Sequence, residues 1–217
     1  MISLPLLIIV FILSCFLIFI THKFFLKRKF IDQVNIRSSH LTTATRSGGV
    51  SIFAVIFIIS IYYYISSVEI YDFSILVPLA LLALIGLYDD IYKVDFQLKF
   101  IFQIIAAKII IDNGYIIENL HGFMGIFELN RIFAQALTAF LIISIVNAIN
   151  FVDGIDGLAA SIIIVFVFLY EFFAVNNTSF QTLSYLIISS LLPLYYFNLR
   201  KNKKVFLGDS GSLFLGG

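Results

Sequence analysis

Asn147-Ala148-Ile149-Asn150-Phe151-Val152-Asp153-Gly154-Ile155-Asp156-Gly157-Leu158-Ala159 sets two amides and two carboxylates between apolar runs, in a chain that is 61% hydrophobic. Carboxylates at or within a membrane are costly, so their default interpretation is functional. A glycine follows each of the two aspartates, which lets the backbone turn and approach a ligand closely. Asn150, Asp153 and Asp156 recur at i, i+3 and i+6, and Asn147 lies one turn earlier. On a helical path these four share one face. Capping of a helix that begins near Leu158, with Asp156 as the cap, explains one acid. It leaves the second acid and both amides unexplained.

Working outward, the 217 residues contain only 12% charged residues, and the mean hydropathy is +1.05. That composition excludes an ordinary water-soluble globular domain. Apolar runs fall at 3–21, 49–66, 73–88, 97–112, 132–149, 158–175 and 181–198, and another begins at Ser212. Spanning helices need about 17–25 such residues, so the expected fold is an all-α polytopic membrane protein with about seven to eight transmembrane helices. Residues 1–217 are expected to form a single integral membrane domain, without internal repeats. Two segments, Tyr115 to Leu120 and Ile126 to Leu129, are joined through glycines and predict a short external β-hairpin with a structural role. Cys15 is the single cysteine, so no internal disulfide can form. The first apolar run has no basic residue before it and no small-residue cleavage pattern, which predicts a retained helix.

Lys and Arg are segregated. Lys23, Lys27, Arg28, Lys29, Arg37 and Arg46 follow the first run, Lys93 and Lys99 the third, and Arg200, Lys201, Lys203 and Lys204 the seventh. The alternate loops, 67–72, 113–131 and 176–180, hold only Arg131. The positive-inside rule then makes the first set cytoplasmic. Asp89, Asp90, Asp153, Asp156 and Asp209 all fall on that side, which points to one cytoplasm-facing site.

Asp89-Asp90 has an ordinary explanation as a solvated helix end. Its functional alternative is a pair that holds Mg²⁺ or orients a phosphate while Lys99 neutralises another. In Gly208-Asp209-Ser210-Gly211-Ser212, Asp209 or Ser210 is either an N-cap or part of a site. In the second case Asp209 is a metal ligand and the glycines admit phosphate oxygens to helix N–H groups. Anchoring to lipid headgroups accounts for Lys23 to Lys29. It does not account for His40, in Arg37-Ser38-Ser39-His40, or for Gly48-Gly49 after Arg46-Ser47. His22, His121, Lys108 and Glu171 are expected to be structural.

At these residues the chain resembles the polyprenyl-phosphate N-acetylhexosamine-1-phosphate transferases, glycosyltransferase family 4. The resemblance runs in order through Arg37 to His40, Arg46 to Gly49, Gly86 to Asp90 with Lys99 and Gln103, Asn147 to Ala159, and Val205 to Gly217. The last two motifs are the most specific. The family includes undecaprenyl-phosphate GlcNAc-1-phosphate transferase and phospho-MurNAc-pentapeptide transferase. Its members continue beyond the point matching Gly217, so the chain is expected to lack a C-terminal part that reads the sugar.

The resemblance implies transfer of an N-acetylhexosamine-1-phosphate from a UDP-sugar to undecaprenyl (polyprenyl) phosphate, with release of UMP. That step initiates cell-surface glycan synthesis: O-antigen, capsule or cell wall. It implies Mg²⁺, with Mn²⁺ as an alternative, held by Asn150 and Asp209. Asp89, Asp90, Asp153 and Asp156 are the implied catalytic residues, and His40, Arg46, Lys99 and Asn147 the substrate-binding ones. The implied location is the bacterial cytoplasmic membrane, with the site facing the cytoplasm. The partners are a UDP-N-acetylhexosamine, the lipid phosphate and the bilayer. Nucleic acid is excluded, and a homodimer is compatible. Two alternatives stand beside this: an ion-coupled transporter, whose acids should lie near mid-span in broken helices, and a non-catalytic homologue that binds lipid phosphate.

Overall fold

The computed structural model describes residues 4–32, 44–173, 180–200 and 204–217. His40 lies outside them. The order is α1 (Leu4–Arg28), β1 (Ile31–Asp32), β2 (Ala44–Thr45), α2 (Gly48–Ile65), α3 (Leu76–Tyr92), α4 (Phe96–Asp112), α5 (Arg131–Val152), α6 (Leu158–Phe173), α7 (Gln181–Leu199), β3 (Lys204–Val205) and α8 (Gly208–Gly216). The chain is an all-α polytopic membrane protein. Among the described residues, five helical stretches are long and apolar enough to cross a bilayer: Leu4–Arg28, Gly48–Ile65, Phe73–Tyr92, Arg131–Val152 and Gln181–Leu199. That is fewer than the seven to eight expected. α4 and α6 have 17 and 16 residues, a rise of about 24–26 Å against a hydrocarbon core of ~30 Å.

The helices run past the apolar stretches that predict them. α3 continues through Asp89 and Asp90 and stops at Lys93, which adopts a left-handed conformation (φ 55°). α5 likewise carries Asn147 and Asn150 in its last two turns and ends at Asp153. These polar groups therefore sit on helices rather than in loops, and helical geometry aims them.

Successive helices alternate in direction. This brings the ends of α1, α3, α5 and α7 together with the starts of α2, α4, α6 and α8. A small three-stranded sheet closes the same end. β1 pairs antiparallel with β2, and β2 pairs parallel with β3, with Ala44 opposite Lys204 and Thr45 opposite Val205. Phe206 N donates to Thr45 O (2.8 Å), Gly48 N to Phe206 O (3.0 Å) and Gly49 N to Leu207 O (2.7 Å). The start of α2 is thereby bound to the approach to α8.

α8 is the centre of the packing. Gly208 and Ser210 to Phe214 are buried, and α8 lies against α2, α3 and α5. Two glycines permit this. A Cβ at Gly49 would run into the backbone of Gly211, and one at Gly86 into that of Asp209. Small residues allow such close approach of helix backbones. The eighth apolar run is thus an interior helix that starts at Gly208, with Asp209 in its first turn.

At the opposite end, the expected hairpin between α4 and α5 is reduced to one antiparallel bridge, Asn119 with Glu128. Leu120 N still donates to Phe127 O (2.7 Å) and Leu129 N to Glu118 O (2.9 Å). A short turn at Phe123–Gly125, with Met124 in a left-handed conformation (φ 53°), forms the tip.

Candidate active site

Lys99, one turn into α4, is held between two carboxylates. Its Nζ donates to Asp89 Oδ2 at 2.9 Å and makes a short ion pair with Asp209 Oδ2. All three side chains are less than 20% exposed, at 14% for Lys99, 13% for Asp89 and 17% for Asp209. The other oxygen of Asp89 accepts the Val94 backbone N–H (2.5 Å). Asp89 is therefore oriented from both sides and presents Lys99 to the start of α8.

Asp90 and Asp153 point elsewhere. Asp90 accepts the amides of Asp209 (Oδ1, 3.0 Å) and Ser210 (Oδ2, 3.0 Å). Asp153 Oδ2 accepts the Gly208 amide (2.8 Å). The first amides of a helix lack internal partners and carry its positive dipole end, so two carboxylates suit them well. The expectation that these N–H groups cradle phosphate oxygens is corrected here, because side chains of this chain already occupy them. Although Asp153 keeps some exposed surface, its carboxyl is tucked among protein atoms. That desolvation, with the charge of Asp209, pushes it up from its ordinary 3.8 to about 7, against the opposing pull of the Gly208 amide and Arg46. Burial likewise raises Asp209, and its neighbour Asp89 adds to the effect.

The row of polar residues at i, i+3 and i+6 breaks after Asp153. α5 ends there, and Gly157 takes a left-handed conformation (φ 71°). Asp156 is turned away to form an ion pair with Lys204, so it does not join Lys99. No side-chain cap by Asp156 is seen at the start of α6 among the described residues.

Asn147 exchanges hydrogen bonds with Gln103: its Nδ2 donates to Gln103 Oε1 (2.7 Å), and Gln103 Nε2 donates to Asn147 Oδ1 (3.3 Å). This amide pair, buried at Gln103 and half-buried at Asn147, joins α5 to α4 near Lys99. Asn150 Nδ2 donates to Ser212 Oγ (2.8 Å), which leaves its carbonyl oxygen for another partner. Arg46 lies against Gly208, where an added Cβ would meet its carbonyl oxygen at 2.8 Å. Its charge acts on both Asp90 and Asp153.

Asn198 is a residue that sequence reasoning missed. It is 5% exposed, accepts the Gly157 amide at 2.5 Å and donates to Val205 O at 2.9 Å. It therefore pins the 153–157 turn to the strand leading into α8. Only its place near the end of an apolar run, seven residues before Val205, hinted at such a role.

A divalent cation fits the chemistry of this centre. Four carboxylates (Asp89, Asp90, Asp153 and Asp209) face two bases, Lys99 and Arg46, which leaves a formal excess of two negative charges. Burial is the main cause that raises the Asp153 and Asp209 carboxyls, and the neighbouring carboxylate adds to it in each case. The available donors are hard oxygens, as Mg²⁺ prefers. Among the described residues no group of three or more His, Cys, Asp or Glu forms a metal cage. Asn150 and Asp209 would therefore hold the ion only together with oxygens from water or a ligand.

The sequence profile of glycosyl transferase family 4 matches residues 72–217. The chain belongs to that family. It is 31% identical over 194 residues to the Bacillus subtilis protein named probable undecaprenyl-phosphate N-acetylglucosaminyl 1-phosphate transferase, covering 86% of this chain and 52% of that one. It is 33% identical over 159 residues to a phospho-N-acetylmuramoyl-pentapeptide-transferase of Streptococcus agalactiae, covering 66% of this chain and 46% of that one. With the undecaprenyl-phosphate alpha-N-acetylglucosaminyl 1-phosphate transferase of Yersinia pestis the identity is 27% over 221 residues, covering 97% of this chain and 59% of that one. The chain spans about half the length of the family relatives it matches.

Proposed function

We propose that this chain forms the phosphoryl-transfer centre of a Mg²⁺-dependent polyprenyl-phosphate N-acetylhexosamine-1-phosphate transferase. The observation that carries this is the junction of Asp89, Lys99 and Asp209, drawn from α3, α4 and α8 to one end of the bundle. Exposed aromatic residues lie close to its acids and lysine in sequence. Tyr92, Phe96 and Phe151, neighbours in sequence of Asp89, Lys99 and Asp153, are 66%, 65% and 87% exposed. A charged centre with such apolar neighbours suits a phosphate tied to the membrane interface by its own hydrocarbon chain. Mid-span acids in broken helices, the signs of a transporter, are not what the described residues present.

In the proposed step, an oxygen of the lipid phosphate forms a bond to the sugar-bearing phosphorus of a UDP-N-acetylhexosamine. The bond from that phosphorus to the bridging oxygen breaks, and UMP leaves with the electron pair. Both reactants are anions, so the chain must first lower their repulsion. Lys99 does this at a partly dry membrane edge, where its charge is worth more than in water. A bound Mg²⁺, held by Asn150 and Asp209 and by phosphate oxygens, would supply further neutralisation. No strong base is needed, since a phosphate monoester has its second pKa at about 6. Asp89, with both oxygens engaged, orients Lys99. Asp90 and Asp153 fix the first turn of α8 and so the direction of Asp209, and Asn147 with Gln103 supports α4 near Lys99. The segregation of Lys and Arg supports a site that faces the cytoplasm from a bacterial inner membrane.

Purified full-length protein with Mg²⁺ should release UMP only when a UDP-N-acetylhexosamine and undecaprenyl phosphate are both present, and EDTA should stop it. Release of UDP would overturn the proposal, because the sugar alone would then be transferred. Ion or solute movement in liposomes without UMP would favour transport.

A further inference from the structure

α1 lies ahead of the residues that the family profile covers, and its His22 was expected to be merely structural. His22 is 6% exposed, with Nδ1 at 2.8 Å from Thr45 Oγ1. Thr45 Oγ1 lies 3.1 Å from Ser47 Oγ. Ser51 Oγ donates to the Ser47 carbonyl (3.0 Å) and lies 2.6 Å from Thr21 Oγ1, back on α1. Thr45, Ser47 and Ser51 are fully buried. Apolar side chains would hold α1 against α2 without the risk that a buried polar chain carries. What this chain of hydroxyls adds is direction.

The two residues it grips, Thr45 and Ser47, are the immediate neighbours of Arg46. Thr45 also accepts the Phe206 amide through its carbonyl, so the same residue is tied to the approach to α8. Arg46 in turn packs its carbonyl and Cβ on Gly208, whose amide Asp153 holds. A continuous path thus runs from His22 through Thr45 and Ser47 to Arg46 and the first turn of α8.

We propose that His22 is a positioning residue: through Thr45 and Ser47 it fixes Arg46 and, with it, the first turn of α8 that carries Asp209. α1 thereby sets the geometry of the acid–lysine centre without touching substrate. The effect on turnover rests on the proposed reaction, whereas the coupling itself does not.

Hydrogen exchange followed by mass spectrometry on the full-length protein tests the coupling directly. In His22→Leu and Thr45→Val, amides of residues 206–211 should exchange at least tenfold faster than in the parent protein. Amides between residues 113 and 130, at the other end of the bundle, should be unchanged. Thr45→Ser keeps the hydroxyl and should restore protection to within twofold. If His22→Leu does not fold, the Thr45→Val and Thr45→Ser pair decides the matter. Loosening confined to α1 and α2, with 206–211 unaffected, would overturn the proposal and leave His22 a packing residue. The UMP assay supplies a second readout. His22→Leu should lower turnover in the parent but add less than a twofold loss to Arg46→Gln; independent, multiplying losses would also overturn it. Altered exchange in a protein that releases no UMP would sink the proposed reaction and leave the positioning role standing.

Discussion

Charged and amide groups gather at both ends of this bundle, but under different conditions. Around Lys99 the carboxylates are partly or largely buried, and each meets a lysine, an arginine or a backbone amide from a distant segment. At the opposite end, Asp112, Glu118, Glu128 and Arg131 line a cavity of about 740 Å³ and are exposed. The ion pair there, Lys108 with Asp112, joins residues one turn apart whose side chains are 56% and 58% exposed. Exposed pairs of that kind contribute about 0–1 kcal/mol. A charge held in a partly dry environment acts far more strongly on its neighbours. The two ends thus show that location decides what a carboxylate does, more than its presence in the sequence.

The largest expected effect follows from removing the cation at the buried end. Lys99→Met leaves Asp89 and Asp209 facing each other without their shared partner. UMP release by the full-length protein should fall about 10²–10³-fold, the range for losing one preorganised charge-stabilising donor. A loss smaller than about tenfold, or 1.4 kcal/mol, would mean that Lys99 is a structural tie only.

A smaller effect is expected at Asn198. Asn198→Leu keeps much of the volume but strands the Gly157 amide and the Val205 carbonyl. Each buried group left without a partner costs about 1–3 kcal/mol. The thermal midpoint in detergent should drop, and the loss should be larger than for Asn198→Asp, which can still accept from Gly157. Equal midpoints for the parent and the leucine variant would show that the turn and β3 stay aligned without this side chain.

The exposed end should respond least. Glu128→Cys should leave UMP release within about twofold and stability within about 0.5 kcal/mol, as for most exposed substitutions. In intact cells the new thiol should react with a membrane-impermeant reagent, whereas a thiol from Asp95→Cys, beside the site, should not. The reverse labelling pattern would invert the proposed topology.

Several features were legible in the residues themselves. Apolar runs located every long helix to within a few residues, apart from α1, which extends to Arg28. The alternation of helices then placed Asp89, Asp90, Asp153, Asp156 and Asp209 at one end. Periodicity and run length are local properties, and local properties can be read along a chain. The division of labour among those acids was not legible. Lys99 and Asp209 are 110 residues apart in sequence, and nothing in the spacing of either motif says that they meet. Nor does spacing show that Asp90 and Asp153 close on the amides of α8 while Asp156 turns to Lys204.

The sequence by itself determined a helical membrane protein with Asp89, Asp90, Asp153, Asp156 and Asp209 at one face, because hydrophobic length and residue type suffice for that. Only the tertiary structure decided which acid orients a lysine, which one holds a helix start, and that His22 and Asn198 serve the same centre. Those roles depend on burial and on hydrogen bonds between distant segments, and both come into being only when the helices pack.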